Sequence, residues 1–272
     1  MSIHEMYGKQ VLITGASAGI GKAIAEEYAK YGADLFLVAR RLERLEEVAK
    51  ELQDKYGAKV YPIQADLADP EAPQSIYDTV KSKDVSIDIL VNNAGYGVPG
   101  RYLDSYWKTH AAFNQVMVTA VMHLTHLFLG EMVDQKYGRI INIASLAGHL
   151  PGSEGHTAYA AVKSWMIRFT ESLYFEYNRD GVHATAICPG FTYSEFHDVT
   201  GTREEVSKMG DHMWMTSEEV AQQTLEASEA GKVVYVNGKL NTAISILPKL
   251  LPRKLQYYIM KKQSKKFRKL DN

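Results

Sequence analysis

The sequence predicts an α/β fold built on a doubly wound parallel sheet of about seven strands, with helices on both faces. Short runs of β-branched and aliphatic residues alternate along the chain with longer segments of helical periodicity. The first run, residues 10–13, leads through a glycine-rich turn into an amphipathic segment at residues 22–30. The length of 272 residues fits one large domain of this class.

Composition and charge limit the classes of protein to which the chain can belong. Hydrophobic residues make up 46% of the chain, enough for a substantial core. The net charge of −1 gives no general affinity for nucleic acid. The single cysteine, Cys188, excludes an internal disulfide and suits a reducing compartment, so we expect a cytoplasmic protein. Residues 1–9 lack the apolar core of a signal peptide, and we expect no stretch to span a bilayer.

The turn after the first strand has the composition of a dinucleotide-binding turn. Gly15 lets the chain leave the strand sharply, Gly19 leaves room for a pyrophosphate, and Gly21 allows close packing of the helix. The unpaired N–H groups at the start of that helix attract phosphate. We therefore predict a Rossmann-type cofactor site, with an ordinary glycine turn as the alternative. Its predicted members are Gly15, Ser17, Ala18, Gly19, Ile20 and Gly21.

The end of the second strand predicts which nicotinamide cofactor is bound. Residues 34–39 form an apolar run that ends in Ala39, and Arg40 and Arg41 follow. A carboxylate at this end would bind the 2′-hydroxyl of NAD and repel a 2′-phosphate, whereas a guanidinium pairs with the phosphate of NADP. We therefore expect NADP(H). The alternative is that both arginines only begin a solvated helix.

Two later strands end in residues that suit the same ligand. Residues 59–63 are followed by Asp66 and Leu67, and Asp66 either accepts a hydrogen bond from the adenine amino group or caps the helix that starts near Pro70. Residues 87–91 form the next strand, which ends in small and amide residues that let the backbone approach a ligand. These residues are Asn92, Asn93, Ala94 and Gly95.

Tyr159 and Lys163 are four residues apart on a predicted helix and therefore share one face. A free tyrosine has a pKa near ~10 and is a poor acid–base group at neutral pH. A nearby ammonium and an oxidised nicotinamide would lower that pKa. An exposed Tyr–Lys pair is the alternative. Ser145, at the end of the strand 138–145, makes catalysis the preferred interpretation.

Together these motifs have the order and nearly the spacing of a known family. They are Thr14-Gly15-x3-Gly19-x-Gly21, Asn92-Asn93-Ala94-Gly95, Ser145, Tyr159-x3-Lys163 and Pro189-Gly190. From about Lys9 to Val236 the chain resembles the short-chain dehydrogenase/reductase family in its single-domain form. The resemblance implies an NADP(H)-dependent oxidoreductase that reduces a ketone or aldehyde to an alcohol, or runs the reverse reaction. Ser145 would hold the carbonyl oxygen, Tyr159 would donate the proton, and Lys163 would lower the pKa of Tyr159 and bind the nicotinamide ribose.

The resemblance also implies further cofactor contacts and an assembly. The segment after Pro189-Gly190 would lie beside the nicotinamide carboxamide, where Ser194 replaces the usual threonine. Members of the family are commonly dimers or tetramers, so we expect a homodimer or homotetramer through the helices near Met117 and Tyr159. No metal site is expected. The remaining cofactor-binding residues are Asn93, Ala94, Gly95, Tyr159 and Lys163.

One position in the long helix predicted over residues 106–133 departs from the family pattern. Met117 stands where the family carries an asparagine that supports a proton relay. Asn114 lies one turn earlier and is a poor geometric substitute. The departure puts the relay in doubt and leaves hydride transfer available. The alternative is that Met117 is a core residue, which is the usual role of methionine.

Two loops are expected near the substrate. The segment 149–156 is about one residue longer than usual in the family, and its His149 and His156 either contact substrate or are solvated. Residues 196–215 correspond to a mobile lid in the family. Its apolar side chains either face an apolar substrate or pack on the core. They are Met209, Met213, Trp214 and Met215.

Residues 241–272 are predicted to form a basic amphipathic helical extension beyond a catalytic domain of residues 1–240. Its apolar stripe can lie weakly on an anionic membrane, or pack beside the pocket or on a second subunit while the lysines stay in water. The apolar members are Leu247, Leu250, Leu251, Leu255, Tyr258 and Ile259. The basic members are Lys249, Arg253, Lys254, Lys261, Lys262, Lys265, Lys266, Arg268 and Lys269.

The expected partner is a small carbonyl or alcohol substrate of apolar character. Two alternatives to the NADP(H)-dependent enzyme remain open. One is an enzyme of the same kind that uses NAD. The other is a nucleotide-binding regulatory or scaffold protein with little turnover, which Met117 keeps in consideration.

Overall fold

The structure, a computed structural model, describes residues 6–155, 157–194 and 210–267. In these ranges seven strands form one parallel sheet in the order β3-β2-β1-β4-β5-β6-β9, which confirms the predicted fold class. A separate two-stranded parallel pair joins β7 to β8. The strands are β1 Gln10–Thr14, β2 Asp34–Ala39, β3 Val60–Gln64, β4 Ile89–Asn92, β5 Gly138–Ile143, β6 Val182–Cys188, β7 Phe191–Thr192, β8 Trp214–Met215 and β9 Val234–Val236.

Helices cover both faces of the sheet. They are α1 Gly19–Lys30, α2 Leu42–Tyr56, α3 Ala72–Lys81, α4 Trp107–Asn114, α5 Ala120–Asp134, α6 Thr157–Tyr177, α7 Ser217–Glu229, α8 Lys239–Ile246 and α9 Arg253–Phe267. One face buries side chains of α1, α2 and α7, and the other buries side chains of α3, α4, α5 and α6. The boundary predicted between residues 240 and 241 falls inside α8, and the division into two parts stays a prediction.

Successive side chains of the central strands enter opposite cores. On β1, Val11 and Ile13 pack with one core, whereas Leu12 packs with the other. This alternation follows from the period of two of an extended strand. Strands covered on both faces read as nearly continuous apolar runs, which is why the sequence shows them so clearly.

The long helix before β5 is continuous from Trp107 to Asp134, with a π-helical turn at Gln115–Thr119 between α4 and α5. Among the described residues it alone has the length and composition of a membrane span, with a mean hydropathy of 1.5. This corrects the expectation that no stretch would qualify. Half of that apolar window is buried, because Leu124, Phe128 and Met132 pack against the sheet. The segment therefore behaves as a core helix.

The strand order reverses between β1 and β4, so the loops that follow these two strands lie side by side. In open α/β sheets this switch point at the carboxyl ends of the strands is where ligands bind. Helix α1 begins at Gly19, earlier than its apolar periodicity predicts, so its N-terminus lies within the glycine turn. The glycine turn, the β4 loop and Ser145 at the end of β5 therefore occupy one edge of the sheet.

Candidate active site

In the glycine turn, the backbone passes very close to the loop that follows β4. Gly15 has φ +67°, and a Cβ there would lie 2.9 Å from the Cα of Ala94. The side-chain Nδ2 of Asn93 donates to the carbonyl oxygens of Thr14 at 2.9 Å and Gly15 at 3.2 Å. A Cβ on Gly21 would collide with the Gly15 carbonyl oxygen and the Asn93 amide. Asn93 thus ties the two loops at the switch point together.

The N-terminus of α1 fits a phosphate group. Ala18 supplies no side-chain cap, and the first turn of α1 carries no acidic residue. Helix α7 is built differently, since Thr216 and Glu219 form a capping box over its first N–H groups. The first turn of α1 therefore keeps its N–H groups and partial positive charge for a ligand. Gly19 has φ +55°, a conformation that favours glycine, and a Cβ there would lie 3.0 Å from the Ser194 Cβ.

Basic side chains lie at the end of the cavity next to β2. Arg40 and Arg41 are exposed and line the cavity, and Arg41 Nη2 donates to Ser17 Oγ at 3.3 Å. Asp66 also lines the cavity, and its Oδ1 accepts from Ala68 N at 3.0 Å. Asp66 therefore caps the turn that precedes α3, which begins at Ala72 rather than near Pro70. Two cations without a carboxylate at Ala39 fit a 2′-phosphate.

Ser145, Tyr159 and Lys163 line the same cavity. Ser145 follows β5, where its Oγ accepts from Ala147 N at 3.1 Å and is also within hydrogen-bonding reach of the Tyr159 hydroxyl. Lys163 lies one turn after Tyr159 on α6, with its Nζ 5.7 Å from the centre of the Tyr159 ring. That Nζ donates to the Ile143 carbonyl oxygen at 2.6 Å, so the end of β5 positions two members of the group.

Burial sets the protonation states of this group in the protein alone. It raises the pKa of Tyr159 to about 12, an effect larger than the opposing hydrogen bond from Ser145. It lowers the pKa of Lys163 to about 8. In the protein alone burial therefore outweighs the groups that favour the phenolate, and the lowering of this pKa by Lys163 stays a prediction. Lys163 is itself 4% exposed and directs its ammonium to Ile143, so desolvation controls both groups.

Met117 packs beneath Gly95, near Lys163. It is fully buried in the core between the sheet and α5, whereas Asn114 is exposed. A Cβ on Gly95 would lie 2.9 Å from Met117 Sδ and 3.8 Å from Lys163 Nζ. The thioether thus occupies the space under Gly95 as a core side chain, the alternative considered from the sequence. Asn114 does not take its place in the site.

The cavity at this edge has a volume of about 1020 Å³. All the site residues predicted from the sequence line it except Gly21, which instead supports the glycine turn. His149 does not line the cavity, so its expected substrate contact is not seen. His156 and Met209 lie outside the described residues. Of the apolar residues expected on a lid, Met213 lines the cavity, while Trp214 stacks on Tyr193 with ring centres 4.7 Å apart.

The C-terminal helices cover one end of the cavity, a placement that the sequence left open. Asn241 of α8 donates to the Asn237 carbonyl oxygen at 2.8 Å and is 5% exposed. A Cβ on Gly190 would lie 2.5 Å from Asn241 Nδ2, so this glycine lets α8 lie on the loop after β6. In the sequence, the apolar stripe of residues 241–272 was the only pattern that indicated packing of this segment. The cavity-lining residues of this segment are Asn241, Ile244, Leu247, Leu251, Gln256, Ile259 and Met260.

Comparisons with known proteins agree with this geometry. Residues 9–205 match the family described as short chain dehydrogenase. Oxidoreductase UcpA of Salmonella typhimurium is 36% identical over 187 residues, which cover 69% of this chain and 70% of that protein. A short-chain dehydrogenase from Sphingobium yanoikuyae in complex with NADPH has a TM-score of 0.79 at 28% identity, covering 90% of this chain and 96% of that one.

A second solved structure holds both a cofactor and a substrate. L-Sorbose reductase from Gluconobacter frateurii, complexed with NADPH and L-sorbose, has a TM-score of 0.76 at 27% identity and covers 86% of this chain and 97% of that one. The matched family model covers most of this chain, and the predicted site residues meet in one cavity. The chain therefore belongs to the short-chain dehydrogenase/reductase family of oxidoreductases.

Proposed function

We propose that this protein is an NADP(H)-dependent reductase that converts a ketone or aldehyde to an alcohol, with Ser145, Tyr159 and Lys163 as the catalytic group. The observation that carries the proposal is that these three side chains and the glycine turn line one cavity. The bound cofactor supplies a hydride to the carbonyl carbon. The protein's own residues then have to bind the cofactor, orient the carbonyl and provide a proton.

The protonation states favour reduction. A Tyr159 phenol with a pKa of about 12 is protonated at neutral pH and ready to give its proton to a carbonyl oxygen. Ser145, within hydrogen-bonding reach of that hydroxyl, orients the same oxygen. Lys163 carries its positive charge next to Tyr159 below a pH of about 8, where it stabilises the phenolate that remains after transfer.

The basic end of the cavity supports a preference for NADP(H). Arg40 and Arg41 line the end where a 2′-phosphate would lie, and no carboxylate stands at Ala39 to repel it. Both structures compared above were solved with NADPH. In this proposal Arg40 is the principal contact, because Arg41 already bonds Ser17.

The substrate proposed is an apolar ketone of substantial size. The far end of the cavity is lined by aliphatic and thioether side chains, among them Leu251, Ile259 and Met260. The glycine turn and the basic end account for the cofactor half, so the apolar half remains for the substrate. A polar sugar would leave its hydroxyls unpaired against these side chains, which costs binding energy.

We also propose a cytoplasmic homo-oligomer. Helices α4, α5 and α6 carry large apolar side chains that are exposed in the single chain, including Trp107, Met122 and Phe175. Large exposed apolar side chains of this kind support association of like subunits. Light scattering would test it: the expected mass is a multiple of 30.5 kDa, and a monomer would contradict this assembly.

Fluorescence titration with NADPH and NADH, followed by a carbonyl panel, tests the main proposal. We expect tighter binding of NADPH and turnover of apolar ketones. Arg40→Ala should raise the KM for NADPH by roughly tenfold to a hundredfold, the cost of a charge-assisted hydrogen bond, and leave that for NADH nearly unchanged. Equal effects on both cofactors would remove Arg40 from recognition of the phosphate.

The carbonyl panel separates the enzyme from its alternative. Met117 is the feature that favours a regulatory nucleotide-binding protein, since it places a thioether where the family has an amide. Tight NADPH binding without turnover of any carbonyl, ketone or aldehyde, would support that second function. Turnover of any of them would exclude it.

A further inference from the structure

The last part of the chain has a charge unlike the rest. Residues 230–270 contain eleven lysines and arginines and no acidic residue, although the whole chain has a net charge of −1. The remainder is therefore acidic. The basic residues are concentrated on and around α9, the helix that covers the substrate end of the cavity.

Over residues 253–262, whose burial is described, helix α9 has one surface against the cavity and another that is exposed. Its inner face places Gln256, Ile259 and Met260 against the cavity. Its outer face presents Tyr257 and Tyr258, which are 57% and 65% exposed.

The turn before α9 adds a further exposed apolar side chain. There Leu250 is 75% exposed. Around the helix axis Tyr257 and Tyr258 alternate with the exposed Lys254 and Lys262, which follows from the 100° step between helical residues. We call Leu250, Lys254, Tyr257, Tyr258 and Lys262 the outer surface of α9.

Tyrosines interleaved with lysines are the composition that suits a membrane–water interface. The tyrosine ring enters the interface while the lysine stem lies along apolar surface and its ammonium remains in water. An anionic bilayer complements the charge of the segment, and each lysine near such a surface adds attraction. A second copy of this chain is a poorer occupant, because a two-fold contact would place these lysines against each other.

We propose that the outer surface of α9 binds an anionic lipid bilayer, and that the cavity directly beneath α9 takes its apolar carbonyl substrate from that bilayer. The second half of this statement rests on the proposed function. One helix, about 10 Å in diameter, separates the cavity from the outer surface. An apolar ketone concentrates in a bilayer rather than in water, so docking brings the cavity close to the substrate.

Sedimentation of the full chain with vesicles tests the docking without any activity measurement. We expect binding to vesicles of phosphatidylcholine with phosphatidylserine, weak binding to phosphatidylcholine alone, and loss of binding at high salt. Lys254→Glu with Lys262→Glu should weaken binding by about thirty-fold or more, since each lysine contributes about a fivefold factor.

The matched control is Lys83→Glu with Lys232→Glu, which changes the net charge equally. Both lysines are exposed and precede strands β4 and β9, so they lie at the opposite edge of the sheet from the cavity. The control should bind vesicles like the unmodified protein. A second variant, Leu250→Ser with Tyr258→Ser, keeps the charge and should also weaken binding, because the apolar contribution is lost.

Equal binding by the variants and the control, or no binding to anionic vesicles, would overturn the docking proposal. So would a change of oligomeric state in the Lys254 and Lys262 variant, which would make a second copy the occupant. The substrate arm compares turnover of a vesicle-partitioned ketone with that of a water-soluble aldehyde. Loss of only the first in the lysine variant supports delivery, and equal turnover of both overturns it. Absence of all turnover with vesicle binding intact would instead refute the proposed function.

Discussion

Two buried cations lie at opposite edges of the central sheet: Arg139 where the parallel strands start and Lys163 where they end. Their charges are compensated in different ways. Arg139, at the start of β5, is 5% exposed and forms a two-point ion pair with Glu229 at 3.2 and 3.3 Å. Lys163 is 4% exposed but directs its Nζ to the neutral carbonyl of Ile143 and to the cavity. Burial lowers the pKa of Lys163 to about 8.

In the proposed function this difference distinguishes the structural charge of Arg139 from the functional charge of Lys163. A buried cation with a carboxylate partner is compensated within the fold. A buried cation that faces only a carbonyl keeps a charge that is costly until an anionic or partly negative group arrives. Lys163 Nζ lies 5.7 Å from the Tyr159 ring centre, and in the proposed reaction that group is the phenolate formed on Tyr159 or a bound ligand.

The largest expected effect is on chemistry at the Lys163 edge. Tyr159→Phe removes the proposed proton donor and should lower kcat by about 10²- to 10⁴-fold while the Kd for NADPH stays unchanged. Steady-state rates and fluorescence titration measure the two quantities. Tyr137→Phe is the matched control, because this ring lies beside Arg139 at the other edge, 4.6 Å from its guanidinium. Retained turnover in Tyr159→Phe would remove Tyr159 from the mechanism.

The next effect is on stability at the Arg139 edge. Arg139→Met leaves Glu229 buried without its cation and should lower the free energy of unfolding by about 3–5 kcal/mol. The double variant Arg139→Met with Glu229→Met should recover most of that loss, since no charge remains buried. Denaturant titration measures both. Lys50→Met, which breaks the exposed pair with Asp54, should cost no more than about 0.5 kcal/mol. A lowered kcat/KM in folded Arg139→Met would contradict a purely structural role.

A smaller effect is a pH dependence of stability, which of these two cations only Lys163 should show. Its pKa is about 8 in the folded protein and 10.5 ordinarily, so between these values the unfolded chain binds the proton that the folded chain has lost. Stability of the unmodified protein relative to Lys163→Met should therefore rise with pH from 8 to 10.5, by at most about 3 kcal/mol. The same difference for Arg139→Met should stay flat, because arginine does not titrate there. A flat Lys163 curve would contradict its desolvation.

The two edges also differ in how much of them the sequence could predict. Local sequence patterns predict the Lys163 edge: a glycine turn between strand and helix, and a tyrosine and a lysine one helical turn apart. The Arg139 pair joins residues 90 positions apart, and no local pattern signals it. The apolar runs predicted the strands because each strand is covered on both faces, and most of their ends were predicted to within two residues.

The parts of the site that could not be predicted depend on tertiary contacts. The hydrogen bond from Lys163 to Ile143 spans 20 positions, and the desolvation that raises the pKa of Tyr159 arises from the whole cavity wall. The cover formed by α8 depends on Asn241 resting on Gly190, a contact between distant segments. The amphipathic stripe showed that these helices would pack on something, and only the fold shows that one face covers the cavity.

The smallest expected effect comes from replacing Met117, the core side chain that packs near Lys163. Met117→Asn restores the amide that the family carries, in a π-helical turn beneath Gly95. If only a proton relay is missing, kcat should stay the same or rise within about tenfold, as expected for one added polar group. Unfolding should become easier by about 1–3 kcal/mol, because the amide enters an apolar core. Met117→Leu preserves volume and should change neither quantity by much. A clear loss of kcat in Met117→Asn, with Met117→Leu unaffected, would show that an apolar contact under Gly95 positions Lys163.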